Sequence, residues 1–167
     1  ACITKEVLNA RLTGVDHNGA SVAFHLADSE AGVAVLSHLK SMLEVQALNY
    51  CVELQQHRGE SVALRLATSS AGGALLSHYN FALANAITDE TFHRKTEGSQ
   101  RRGHSLAFWL CVTVGGKKIL MRNNFKLANK IKPKMLNHII NEGDHHGDGY
   151  DSCAGESMAF WLAHSGQ

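Results

Sequence analysis

The chain has 167 residues, 44% of them hydrophobic, one proline and a formal net charge of +1, which fits a soluble globular domain of ordinary size. No apolar run approaches the roughly 20 residues a bilayer requires, and no signal peptide opens the chain, so a membrane span is not expected. Cys2, Cys51, Cys111 and Cys153 are scattered without a CxxC pair, which points to a reducing compartment and no disulfide framework.

In chain order, residues 3 to 12 (ITKEVLNARL) read as a second helix lacking its first, a half repeat over 1–15. Gly19 to Ala27 (GASVAFHLA) then begins a phrase that returns without a gap as Gly59 to Ala67 (GESVALRLA), Gly103 to Cys111 (GHSLAFWLC) and Gly155 to Ala163 (GESMAFWLA). The first, third, fifth and eighth positions are Gly, Ser, Ala and Leu in every copy. Periods of this size mean stacked supersecondary units rather than one catalytic pocket. The lead glycines are 40, 44 and 52 residues apart, so repeats start near 16, 56 and 100, with a truncated one near 152. The chain thus begins and ends within a repeat, as a domain excised from a larger protein would.

Each unit is predicted to be a helix–turn–helix. The lead glycine closes a turn in a left-handed conformation, as in Asp16-His17-Asn18-Gly19. Ser21, Ser61, Ser105 and Ser157 then stand where a helix N-cap is wanted. The apolar fourth, fifth and eighth positions share one face of a short first helix, and the invariant Ala implies close helix approach. Gly32, Gly72 and Gly116 are expected to end that helix as C-caps. A longer second helix follows, carrying Leu36, Leu76 and Leu120. Asn85 and Asn129 recur, and a buried or connector-capping amide hydrogen bond is expected of them.

The charge is unevenly spread. Residues 1–88 hold 5 Lys+Arg and 7 Asp+Glu, residues 89–134 hold 11 and 3, and residues 135–167 hold 0 and 5. The basic patch comprises Arg101, Arg102, Lys117, Lys118, Arg122, Lys126 and Lys130, within a block that also holds Arg94, Lys95, Lys132 and Lys134. A solvated convex face explains it. The sharper alternative is docking of an acidic protein, an anionic lipid or a nucleic acid, and the lack of interleaved aromatics argues against the last.

The phrase GxSxAFxLA, with Asp16 ahead of it and a glycine and Leu-bearing helix behind, resembles ankyrin repeats, more closely the divergent units with a GxTxAHxLA core found in secreted effectors of host-associated bacteria. The similarity covers nearly the whole chain. The chain departs from the family in lacking a Thr-Pro-Leu-His tetrapeptide, in a first-helix phrase one residue longer and in a wider spacing. The resemblance implies an all-α solenoid, about three full repeats with a half repeat at each end. It also implies a protein-protein interaction module, the target-recognition domain of an effector delivered into a host cell cytoplasm. In such stacking the first helices line the concave surface, so the variable seventh position of the phrase, held by His25, Arg65, Trp109 and Trp161, is the expected binding row for a protein partner.

Two other functions remain open on sequence. One is a small cysteine- or metal-dependent hydrolase on a helical scaffold. Asp144, His145, His146, Asp148, Asp151 and Cys153 gather in the connector GDHHGDGYDSC, and a thiolate ahead of a helix is a known nucleophile arrangement. However, adjacent histidines seldom reach one ion, and Cys153 occupies a turn slot held elsewhere by His17, His57 and Arg101. No catalytic residue, metal or cofactor is therefore expected in this chain. The other is anionic lipid or nucleic-acid binding through residues 89–134.

Overall fold

The four copies of the phrase fold alike, and the reasons are local. In the computed structural model, which describes residues 2–14, 18–98, 102–122, 125–137, 139 and 155–164, the lead glycines Gly19, Gly59, Gly103 and Gly155 have φ of 87°, 85°, 84° and 87°. Only glycine adopts this left-handed region without strain. Two residues later the Ser hydroxyl accepts a hydrogen bond from the third amide of the helix it opens, from Phe24 (3.1 Å), Leu64 (3.1 Å), Phe108 (3.3 Å) and Phe160 (3.2 Å). The Ser61 cap is buried, so Ser61→Ala leaves the Leu64 amide without water to replace the lost acceptor. It is expected to lower stability by about 1–2 kcal/mol, read as a shift in the urea midpoint.

Twelve α-helices are described, and among the described residues there is no β-strand. The first helices of the units are α2 (Val22–Leu26), α5 (Val62–Ala67), α9 (Leu106–Val112) and α12 (Met158–Ala163). The second helices are α3 (Glu30–Leu39), α6 (Ser70–Leu76) and α10 (Val114–Met121). The second unit adds α7 (His78–Asn85). A third, short helix precedes each turn: α1 (Lys5–Asn9), α4 (Val45–Asn49), α8 (Asp89–His93) and α11 (Pro133–Leu136). The two-helix prediction missed it. Only five residues of the predicted first segment are helical, and α1 is the closing helix of a unit, not a long second helix.

Packing runs from neighbour to neighbour. α2 packs on α5, α5 on α9 and α9 on α12, while α3 packs on α6 and α6 on α10. Each short helix packs on the first helix that follows it, α1 on α2, α4 on α5, α8 on α9 and α11 on α12. The core is one continuous strip, with Ala23, Ala63 and Ala107 fully buried beside Leu36, Leu76 and Leu110.

Gly32, Gly72 and Gly116 do not end the first helix. They lie in the first turn of the second, where their N–H groups donate to Ser29 Oγ (3.1 Å), Ser69 Oγ (3.0 Å) and Thr113 Oγ1 (3.1 Å). A Cβ at these sites would overlap backbone of the preceding helix, the Leu26 and Leu66 carbonyl oxygens and Leu110 Cα. Close passage of two helices, not a C-cap, is what requires glycine here.

Between the short helix and the Ser cap the chain doubles back as a hairpin. Leu12 N–H donates to Ala20 O and Gly19 N–H to Leu12 O; Val52 pairs the same way with Glu60 and Gly59, and Thr96 with His104 and Gly103. Successive hairpins are joined tip to tip. Glu53 N–H donates to Asn18 O (3.4 Å), and at equivalent positions one unit on Glu97 N–H donates to Arg58 O (2.8 Å).

Side-chain amides tie the units further. Asn9 donates to Met42 O (2.7 Å) and accepts from Glu44 N–H (2.8 Å), and Asn49 repeats this with Ala86 O (2.8 Å) and Thr88 N–H (2.8 Å). His93 stands at the equivalent place and reaches Lys130 O (2.9 Å). The recurring connector amides are therefore Asn9 and Asn49. Asn85 instead donates within its own helix, to Asn80 O (3.4 Å).

Candidate binding surface

The seventh position of the phrase meets four different environments. His25 is exposed, its ring edge-on to Phe24. Trp109 and Trp161 are half-buried, each edge-on to the phenylalanine before it. Lys117 Nζ lies 5.6 Å from the centre of the Trp161 ring, within cation–π range.

Arg65 corrects the expected row: at 2% exposure it cannot meet a partner. Its Nε donates to Glu60 Oε2 (3.0 Å), and Nη1 reaches Asp28 Oδ1 (3.0 Å) and Phe24 O (3.4 Å). Its guanidinium carbon stands 3.7 Å from the centre of the Phe24 ring. The planar fork suits this combination of carboxylate, carbonyl and aromatic face. The cation thus staples α5 to the carboxyl end of α2, where the helix dipole also favours positive charge.

Glu60 is fully buried, and His57 Nδ1 lies 3.4 Å from its other oxygen. The second and seventh positions of the phrase are Ala20 and His25, Glu60 and Arg65, His104 and Trp109, and Glu156 and Trp161. In the third unit the pair is in ring contact, with His104 edge-on to Trp109 at 5.9 Å and stacked on Phe108 at 4.2 Å.

The basic patch is thinner than its sequence. Lys130 Nζ pairs with Asp89 (2.7 Å) and donates to Ile87 O (3.0 Å), so it serves the framework. That contact holds the Asp89 carboxyl below its ordinary range, and the contribution fades as pH falls through that lowered value. Arg94 is engaged by Glu53 and Glu90, and Lys117 is half-buried. Arg102, Lys118, Arg122 and Lys126 are exposed. Arg101 lies outside the described residues.

Two cavities occupy equivalent places between units. The first, about 50 Å3, is bounded by Arg11, Phe24, Tyr50 and Val62, with the Arg11 guanidinium stacked on the Tyr50 ring at 3.7 Å. The second, about 200 Å3, is bounded by Phe108, Met135 and Met158 with Lys95 and Lys134 at its edge.

Asp144, His145, His146, Asp148, Asp151 and Cys153 lie outside the described residues. Among the described residues no three His, Cys, Asp or Glu side chains are grouped to hold a metal ion. Cys111 packs in the core, and burial pushes its thiol up to about 12, so it stays protonated at neutral pH. Cys2 is exposed. Alkylation followed by site-resolved mass spectrometry is expected to label Cys2 in the native protein and Cys111 only after denaturation.

Among the described residues no helix is long and apolar enough to cross a membrane. Comparison of the chain with family models, curated proteins and solved structures gives no match.

Proposed function

We propose that the chain is a solenoid of ankyrin-like units whose function is to bind a protein partner. The observation that carries this reading is the constant frame with one changing position. Left-handed glycine and Ser cap recur in all four copies, and the Ala is buried in the first three, while the seventh position passes from His25 to Arg65 to Trp109 to Trp161. Hairpins joined tip to tip, and first helices packed in sequence, also support stacking of the ankyrin kind. The partner surface in this reading is centred on Trp109 and Trp161, with His25 beyond the buried Arg65. Aromatic anchors of this kind carry most of the energy in many interfaces. The resemblance to effector repeats gives a setting, recognition of a host protein in the host cytoplasm.

The test is cross-linked capture of proteins from a host lysate, followed by affinity measurements on the recovered partner. Trp109→Ala with Trp161→Ala is expected to weaken binding by at least about 30-fold, the scale of one interface hot spot. A melting curve checks that the variant is folded, with Trp161→Ala alone as the milder change. Unchanged affinity in a folded double variant would refute the assignment of this surface.

A further inference from the structure

The second helices share a frame but not an outer face. Two residues before the shared glycine stand Glu30, Ser70 and Val114; two after it, Ala34, Ala74 and Lys118; five after it, Ser37, Ser77 and Met121. Six after it come His38, His78 and Arg122, and the turn beyond adds Phe125 and Lys126 in the third unit. Ile119 and Leu120, which face the core, are buried like Leu75 and Leu76, so the inward side has kept its character while the outward side has changed.

Val114, Lys118 and Met121 follow helical spacing along one stripe of α10. Phe125 N–H donates to Arg122 O (3.1 Å), which keeps Phe125 close to the end of α10. Three large apolar side chains are left in solvent, Val114 at 71%, Met121 at 60% and Phe125 at 54% exposure. Lys118 within α10, and Arg122 and Lys126 at and after its end, are also exposed. No aspartate or glutamate occurs anywhere from Gly98 to Asn141.

We propose that this face docks on an anionic lipid surface, with Met121 and Phe125 entering the boundary between headgroups and acyl chains and the three cations meeting the headgroups. Exposed apolar and cationic side chains gathered on one helix and just past its end, with no acidic residue among them, are what an interfacial surface offers, where burial and charge attraction add. A folded protein partner would offer pockets for anchors and seat its own in return, whereas the cavities bounded by Phe24 and Tyr50, by Phe108 and Met158, and by Leu75 and His78 take in none of these side chains. A nucleic acid would use the cations but not the exposed valine and methionine. The proposal stands apart from the tryptophan surface and does not depend on it.

The experiment is flotation of the full chain with vesicles of phosphatidylcholine alone and of phosphatidylcholine with phosphatidylserine in equal amounts. Binding is expected to the mixed vesicles only. Lys118→Ala, Arg122→Ala and Lys126→Ala together are expected to weaken it on the order of a hundredfold, about fivefold per cation. Met121→Ser with Phe125→Ser is expected to abolish the fraction that persists at high salt. All five sites are exposed, and Arg122→Glu alone provides a milder charge change should the triple variant unfold. The proposal is overturned by absence of binding to the mixed vesicles, by unchanged binding of the folded charge variants, or by capture of polyglutamate or duplex RNA with vesicles ignored.

Discussion

Gly72→Ala is expected to destabilise the protein by about 3 kcal/mol, far more than its small volume would suggest. The added Cβ would overlap the carbonyl oxygen and Cα of Leu66, backbone atoms that cannot swing aside as a side chain would. Relief requires α5 and α6 to separate, and α6 has little room: Gly73 already faces Gly115 across the contact with α10, where a Cβ on Gly73 would stand 3.3 Å from Gly115 Cα. Strain at one glycine therefore reaches two units. Chemical denaturation of the variant checks this, with Gly14→Ala, where an added Cβ meets nothing within 4 Å, as the matched control. A Gly72→Ala variant as stable as the control would show that the helices are not held at this distance.

Arg65→Ala is the second large loss, expected at about 3–5 kcal/mol because it leaves the Glu60 carboxylate buried without its cation. Both partners are almost fully shielded from water, so solvent screening gives no discount; the Asp28 contact, half in solvent, adds little. The decisive comparison is Arg65→Met together with Glu60→Gln. Removing both charges is expected to recover most of the loss, since an apolar side chain still covers Phe24 and no unpaired carboxylate remains. A double variant as unstable as Arg65→Ala would mean that an uncompensated buried carboxylate is not what the loss of Arg65 costs.

Local chemistry was legible in the sequence. The lead glycine, the Ser cap and the buried Ala are dictated by backbone angle, an orphan amide and helix spacing, all contained within nine residues. The second glycine was misread because a glycine at the end of an apolar stretch serves equally as a C-cap or as a close-approach site. The distinguishing sign was nearby: Ser29, Ser69 and Thr113 each stand three residues before it, as a cap does before the amide it accepts from. The short closing helices escaped notice because five residues complete too little of a helical period to leave a pattern. Even so, Leu8-Asn9 and Leu48-Asn49 repeat at the same distance ahead of the lead glycine and mark them.

The burial of Arg65 within the seventh position was beyond sequence reasoning. Whether Arg65 faces solvent is settled by Glu60 five residues earlier and by Asp28 and Phe24 in another unit, a three-dimensional meeting with no linear signature. The basic block shows the same limit. Its charge sum is plain in sequence, yet Lys130 belongs to the framework and Lys118 to the surface, and only contacts with Asp89 and Ile87 separate them.

The tip-to-tip hydrogen bonds between hairpins give the molecule a direction along which it comes apart. A middle unit must release both of its neighbours before its backbone amides meet water, whereas an end unit must release one. Deuterium uptake is therefore expected to be slow through α5 and α9, each of which packs on a first helix at either side. A ligand that spans several units would slow it throughout, which makes the exchange profile a ruler for how much of the stack a partner grips.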